Sequence, residues 1–268
     1  MIKFIILKLI NLIFFFSFKK KFRLQLYLKN IIENNLYKKK INNKNISFYI
    51  ENPHCLKRYS SILTKEKKTI IWLNKMKNKD ILWDIGANIG IYSLYAAVIK
   101  KVKVVSFEPM SNSYNVLLKN IDINNLNKKI YSYPVALGDK NKIGFSIYNS
   151  NHAASARHLI TDNFKKLRKN FENIIILKPD FFKKIPQPSH IKIDTDGNEI
   201  KILKELRAIL KSKKTKEICV EIEQNSHFKK NKNTIFNILK MNNFINYDYD
   251  KLTIGYNYFF KRFDDSKK

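Results

Sequence analysis

The run Ile81-Leu82-Trp83-Asp84-Ile85-Gly86-Ala87-Asn88-Ile89-Gly90 constrains this chain more than any other segment. A short apolar strand ends near an acid, a glycine turn follows, and a helical pattern opens at Ile91. Residues 102–107 then form a second apolar run, which ends on Glu108-Pro109. Strand, turn, helix and strand in this order begin a parallel sheet, because parallel neighbours need a crossover between them. Ligands of such sheets sit outside the carboxyl ends of the strands. Asp84 and Glu108 are therefore expected to face one crevice.

The alternation continues along the chain. Strands are expected at 130–135, 191–193 and 218–222, and helices at 92–100, 111–120, 200–210 and 233–242. A hairpin-like piece surrounds 142–148, a polar loop covers 149–157, an irregular basic stretch follows, and 247–260 reads as a terminal hairpin. Asp194 and Glu221 then join Asp84 and Glu108 at strand ends. The chain divides into a basic helical region 1–45, a strand and helix over 46–77, a main domain 78–260 and a charged tail 261–268.

Hydrophobic residues make up 44% of the 268, which excludes wholesale disorder. The net charge of +30 points at first to nucleic acid, yet only six of the 52 basic residues are arginine. Phosphate recognition favours the bidentate guanidinium, and the lysines are spread along the whole chain, so a solvated basic surface is the preferred reading. Cys55 and Cys219 match no metal or redox spacing, which fits a reducing, cytoplasmic location. Residues 2–18 are mostly apolar but carry Lys3, Lys8 and Asn11. An interfacial helix on the inner face of a membrane, a packed helix and a true span all stay open there. Nothing in the sequence sets an oligomeric state.

A dinucleotide site needs Gly-x-Gly-x-x-Gly, so that backbone can approach a pyrophosphate. Here Gly86 and Gly90 are four apart and Ala87 fills the second glycine position. Asp84 would also repel a pyrophosphate. It suits a cationic ligand instead, such as the sulfonium and amino group of S-adenosylmethionine, with Glu108 accepting the ribose hydroxyls.

With Asp84-Ile85-Gly86-Ala87-Asn88-Ile89-Gly90, Phe107-Glu108-Pro109 and Ile191-Lys192-Ile193-Asp194-Thr195-Asp196-Gly197-Asn198-Glu199, the chain resembles the FkbM family of S-adenosylmethionine-dependent methyltransferases. The resemblance covers roughly 78–225. It implies a class I, Rossmann-like fold with a mostly parallel sheet covered by helices on both faces. It also implies a cofactor site at Asp84, Gly86, Asn88, Gly90 and Glu108, with Ala136 and Leu137 beside the adenine, and O-methylation of a sugar, glycolipid or surface-glycan precursor.

A sugar hydroxyl is a poor nucleophile while protonated, so a base or a metal should assist. Asp194 is the first candidate, His152 in the polar loop a second, and Glu221 aligns with the family's late acid. Asp194, Asp196 and Glu199 together offer oxygen ligands for a divalent cation such as magnesium. Capping of the following helix by Asp196 and Glu199 is the alternative. The rival functions are an RNA or protein methyltransferase, prompted by the charge, and an inactive scaffold docked on a membrane.

Overall fold

The computed structural model describes residues 36–155, 158–166, 170–223, 226–247 and 256–263. The apolar segment 2–18 lies outside them, and among the described residues no helix is long and apolar enough to cross a membrane.

Seven strands form the main sheet: β3 (Ile81–Ile85), β4 (Lys103–Phe107), β5 (Ile130–Tyr133), β10 (His190–Ile193), β11 (Glu217–Glu221), β12 (Phe244–Tyr247) and β13 (Asn257–Arg262). Their order across the sheet is β12-β13-β11-β10-β3-β4-β5. All run parallel except β13, which is antiparallel to both neighbours. The chain moves outward from β3 through β4 to β5, then returns to lay β10 on the other side of β3. That reversal opens a crevice at the carboxyl ends of β3 and β10, the place where such sheets bind ligands.

Both faces of the sheet are covered, as the class I expectation requires. On one face Leu82, Val104 and Cys219 pack with α2 (Lys67–Asn74), α3 (Ile91–Tyr95) and α4 (Ser111–Ile123). On the other, Trp83, Ile85, Val105, Ile191 and Val220 pack with α5 (Glu199–Glu205), α6 (Arg207–Lys211) and α7 (Phe228–Lys240). Strand side chains alternate between faces, so each neighbouring pair such as Leu82 and Trp83 serves both cores. Both cysteines are buried free thiols.

Three expectations need correction. Residues 36–45 are not helical as expected: Leu36–Ile41 (β1) and Lys44–Tyr49 (β2) form an antiparallel hairpin. Asn42 and Asn43 turn it with φ of 47° and 59°, the left-handed pair that a two-residue hairpin demands. The one helix expected within 46–77 is two helices, α1 (Pro53–Ser61), capped by the Asn52 side chain, and α2. The tail starts later than 261, because β13 reaches Arg262, whose guanidinium donates to the carbonyls of Thr215, Leu210 and Ser212.

The stretch between β5 and β10 is also more ordered than expected. It forms a second sheet in the order β6-β9-β7-β8, from Ala136–Leu137 (β6), Lys142–Ile147 (β7), Leu159–Thr161 (β8) and Phe171–Leu177 (β9). Glu172 on β9 accepts from the N–H and hydroxyl of Ser111, which caps α4 and fixes this sheet beside the crevice.

The N-terminal hairpin is held to α4 by side-chain amides in place of a strand. Asn120 accepts from the Tyr49 N–H and donates to the Ile89 carbonyl, at 2.7 and 2.8 Å. Asn124 bonds both the N–H and the carbonyl of Ser47. Asn120→Ala strands two backbone groups at once, one of them fully buried. It is expected to cost roughly 1–3 kcal/mol, read as a lowered urea midpoint with an unchanged slope.

Candidate active site

The turn after β3 is built by contact with two neighbours. The N–H groups of Gly86 and Ala87 both donate to the Phe107 carbonyl on β4. On the other side, a Cβ on Gly86 would overlap the backbone oxygen of Asp194, and the residue sits at φ +83°. Only glycine allows this approach. Asn88, at φ 52°, presents its backbone N–H to Glu108 and its side-chain amide to the Ser155 carbonyl.

Glu108 is thereby clamped. Its Oε2 accepts from Asn88 N at 2.7 Å and its Oε1 from Met110 N at 2.9 Å. Burial pushes its carboxyl up to about 7, against these two donors, which favour the charged form. Phe107, Glu108, Met110, Val135, Ala136 and Leu137 line one cavity of about 520 Å³ together with Asp194 and Glu221. This volume falls within the ~300–1,000 Å³ usual for small-molecule sites. The members from β4 to β6 make a wall that is apolar apart from Glu108, and those from β10 and β11 make an acidic one.

Asp194 follows β10. Its Oδ2 accepts from the Lys192 ammonium at 2.7 Å, and its carboxyl hydrogen-bonds that of Glu221. Burial works against the Asp194 charge, but Lys192 and the bond from Glu221 overcome it and hold the group well below the usual carboxylate range. Glu221 moves the other way, to about 9, through burial and its bond to Asp194. Two carboxyls can share a hydrogen bond only if one is protonated, so at neutral pH Asp194 is ionised and Glu221 holds the proton. The side chain of Lys192 is only 2% exposed. Burial disfavours its charge, yet Asp194, Glu66 and Asp84 raise its pKa above the usual lysine value.

The structure places three of the expected site residues outside the cavity. Asp84 does not line the cavity: it is buried one layer below, its Oδ2 bonded to the Ser93 hydroxyl at 2.6 Å and its Oδ1 without a partner. Position 84 shares strand parity with Leu82, so the carboxylate turns into the core, where burial raises its pKa. Gly90 starts α3 against Leu117 and also lies outside the lining. His152 is exposed and stacks on His54 at 6.1 Å. The expected metal set does not converge either. Glu199 spends Oε1 on the N–H groups of Thr195 and Gly197 and on the Thr195 hydroxyl, while Asp196 accepts from His158 N. Among the described residues no three His, Cys, Asp or Glu side chains form a group able to hold a metal. Nor does Glu199 cap α5, whose N-cap Asn198 makes no side-chain cap bond; its carboxylate instead ties down the loop that leads into the helix.

Sequence reasoning missed the three basic side chains of the cavity lining. His158 stands where His152 was expected, bonded to the Ser155 hydroxyl at 3.2 Å, and burial lowers its pKa. Arg58 and Lys65 reach the cavity from the segment before β3. No local motif marks these three. Lys192, beneath the floor, did leave a signal: a lysine inside the apolar strand Ile191-Lys192-Ile193 must be buried and paired.

Residues 84–251, which carry the clamp, the glycine turn and the paired carboxyls, match the methyltransferase FkbM domain. The chain belongs to the FkbM methyltransferase family. It is 26% identical over 141 residues to the hexuronic acid methyltransferase AglP of Haloferax volcanii, covering 52% of this chain and 55% of that protein. The chain thus spans about half the length of this curated relative. Similar solved structures include methyltransferase FkbM from Methylobacillus flagellatus KT (TM-score 0.49, 16% identity, 70% of this chain and 44% of that one). Human methyltransferase 10 domain containing protein is another (TM-score 0.45, 14% identity, 78% and 82%).

Proposed function

We propose that the protein transfers a methyl group from S-adenosylmethionine to a sugar hydroxyl. The observation that carries this reading is one cavity holding both the clamped Glu108 and the bonded Asp194–Glu221 pair. The residues fit the cofactor. Each Glu108 oxygen spends one lone pair on backbone and keeps another for a ribose hydroxyl. Val135, Ala136 and Leu137 offer an apolar seat for the adenine, and the bare Gly86 turn lets the ligand lie close to the strand ends. AglP, by its name, methylates a sugar acid, which supports a sugar acceptor here.

S-adenosylmethionine supplies a methyl group on a sulfonium sulfur. Bound in the cavity, it would give that carbon to the acceptor oxygen, with the carbon–sulfur electron pair left on sulfur. The hydroxyl proton is weakly acidic at first and becomes strongly acidic as the oxygen gains positive charge. A carboxylate that stays ionised is then the useful partner. Asp194 meets this need, because Lys192 keeps it charged and Glu221 already holds a proton. Most of the remaining rate comes from holding the oxygen in line with the methyl group.

Calorimetry with S-adenosylmethionine tests the cofactor half. Glu108→Ala removes charge-assisted hydrogen bonds worth ~1.5–3 kcal/mol each, so affinity should fall at least about tenfold. Protonation takes away the charge that grips the ribose. Wild-type affinity should therefore weaken as pH drops from about 8 to about 6, across the raised Glu108 pKa. No binding by wild type, or equal binding by Glu108→Ala, would remove the assignment.

A further inference from the structure

The segment before β3 gives the cavity two cations that the family-matched residues do not. Among the described lining residues, Arg58 on α1 and Lys65 between α1 and α2 are the arginine and lysine, and both precede the matched span of 84–251. Every acid of the lining lies inside that span. Most of these acids already have work within the protein: Glu108 accepts two N–H groups, Glu199 three donors, Asp196 one, and Asp194 pairs with Lys192. Arg58 is oriented by neutral groups. Its Nε donates to the Ala154 carbonyl at 2.8 Å and its Nη2 to the Ser155 carbonyl at 3.3 Å. Carbonyls fix the plane of a guanidinium without neutralising its charge, and three of its five donors are left over.

We propose that Arg58 and Lys65 are specificity residues for an acceptor sugar that carries an anionic group, a ring carboxylate or a phosphate. This rests on the methyl-transfer reading above and names the acceptor class for the same cavity. The same two carbonyls that hold Arg58 also tie the polar loop, whose Ser155 carbonyl accepts from Asn88 as well. The guanidinium therefore stands at a set distance from the glycine turn, and a sugar anchored there through its anion presents a defined hydroxyl to Asp194. Lys65 is 60% exposed and lies 3.5 Å from Glu66, so its contribution is the smaller one.

The test uses the full chain and three matched oligosaccharides, ending in a hexuronate, a phosphorylated hexose and a neutral hexose. Binding is read by calorimetry in the presence of S-adenosylhomocysteine, and turnover by release of that product. The expected result is at least about tenfold tighter binding of an anionic sugar than of the neutral one, the size of one charge-assisted hydrogen bond. The preference between hexuronate and phosphate decides the source of the anion. Arg58→Gln should erase most of the preference, chiefly in KM, with Arg58→Lys restoring part of it. Lys65→Gln should reduce it a few-fold, and because Lys65 holds no loop it carries the test if Arg58→Gln does not fold. Equal binding of charged and neutral sugars overturns the proposal, as does a tenfold loss of S-adenosylmethionine affinity in Arg58→Gln, which would assign the guanidinium to the cofactor. Displacement of the hexuronate by RNA at low concentration overturns it too. Anion-selective binding without turnover would sink the activity reading and leave this inference standing.

Discussion

Alanine at Gly86 should abolish cofactor binding and destabilise the whole domain. The added Cβ has no room, because it would overlap the Asp194 backbone oxygen, and φ +83° is a left-handed conformation. The conformation alone costs ~1–2 kcal/mol with a side chain present, and forced overpacking adds ~1–3 kcal/mol. Relief requires β3 and β10 to separate where Ile85 lies beside Ile193 and Asp194 donates to the Ile85 carbonyl. That movement spreads the cavity floor. Gly197→Ala is the control: it shares a positive φ, of +111°, but nothing lies within 4 Å of its new Cβ. It should show only the conformational cost. Urea unfolding and calorimetry with S-adenosylmethionine read both variants. If Gly86→Ala stays within about 1 kcal/mol of wild type, less than overpacking alone should cost, the close approach of turn and strand is wrong.

Asp194→Asn should be nearly as damaging, for electrostatic reasons. The neutral amide leaves the Lys192 ammonium buried without the nearest of its counter-charges, and breaking such a pair costs ~3–5 kcal/mol. Asp84 and Glu66 also face Lys192 and soften this cost. Turnover should fall ~10²–10⁴-fold, the value of a positioned proton acceptor, while S-adenosylmethionine affinity changes much less. Glu221→Gln should be milder, because an amide can donate to Asp194 as the protonated carboxyl does. Turnover is read with a hexuronate-bearing oligosaccharide as acceptor, at a temperature where both variants are folded. The opposite ranking, with Glu221→Gln the more damaged, would move the base to Glu221.

The stability of Asp194 follows the same charges. Its folded pKa lies below the unfolded value, so its share of stability is complete above the unfolded carboxylate range. That share is lost as pH falls through the folded pKa. Glu221 has the reverse sign: the folded state holds its proton longer, so stability declines as pH rises toward about 9.

Elements with a repeating pattern were legible from residue order. The parallel strands, their glycine turn and Glu108 follow from apolar runs and from the needs of a tight turn, which are local. The strand Leu36–Ile41 is not legible in sequence although Asn42-Asn43 marks its turn, because the lysines around it hide the alternation. The place of Asp84 at a strand end is legible in sequence, and the direction of its carboxylate is not. Its parity with Leu82 is visible in sequence, but that a packed layer of Ser93 and Ser106 covers that face is not. His152 and His158 lie in one loop without periodicity, and the ties from Arg58, Asn88 and Ser113 decide which residues turn inward.

The order of residues alone determined the sheet, its crevice and the family, since these depend on strand-length patterns and on a glycine that nothing else can replace. Tertiary structure decided which side chains share the cavity. Arg58, Lys65 and His158 meet Asp194 only once distant segments close around the switch between β3 and β10. Contacts of that kind depend on packing across many residues of separation, and no local spacing encodes them.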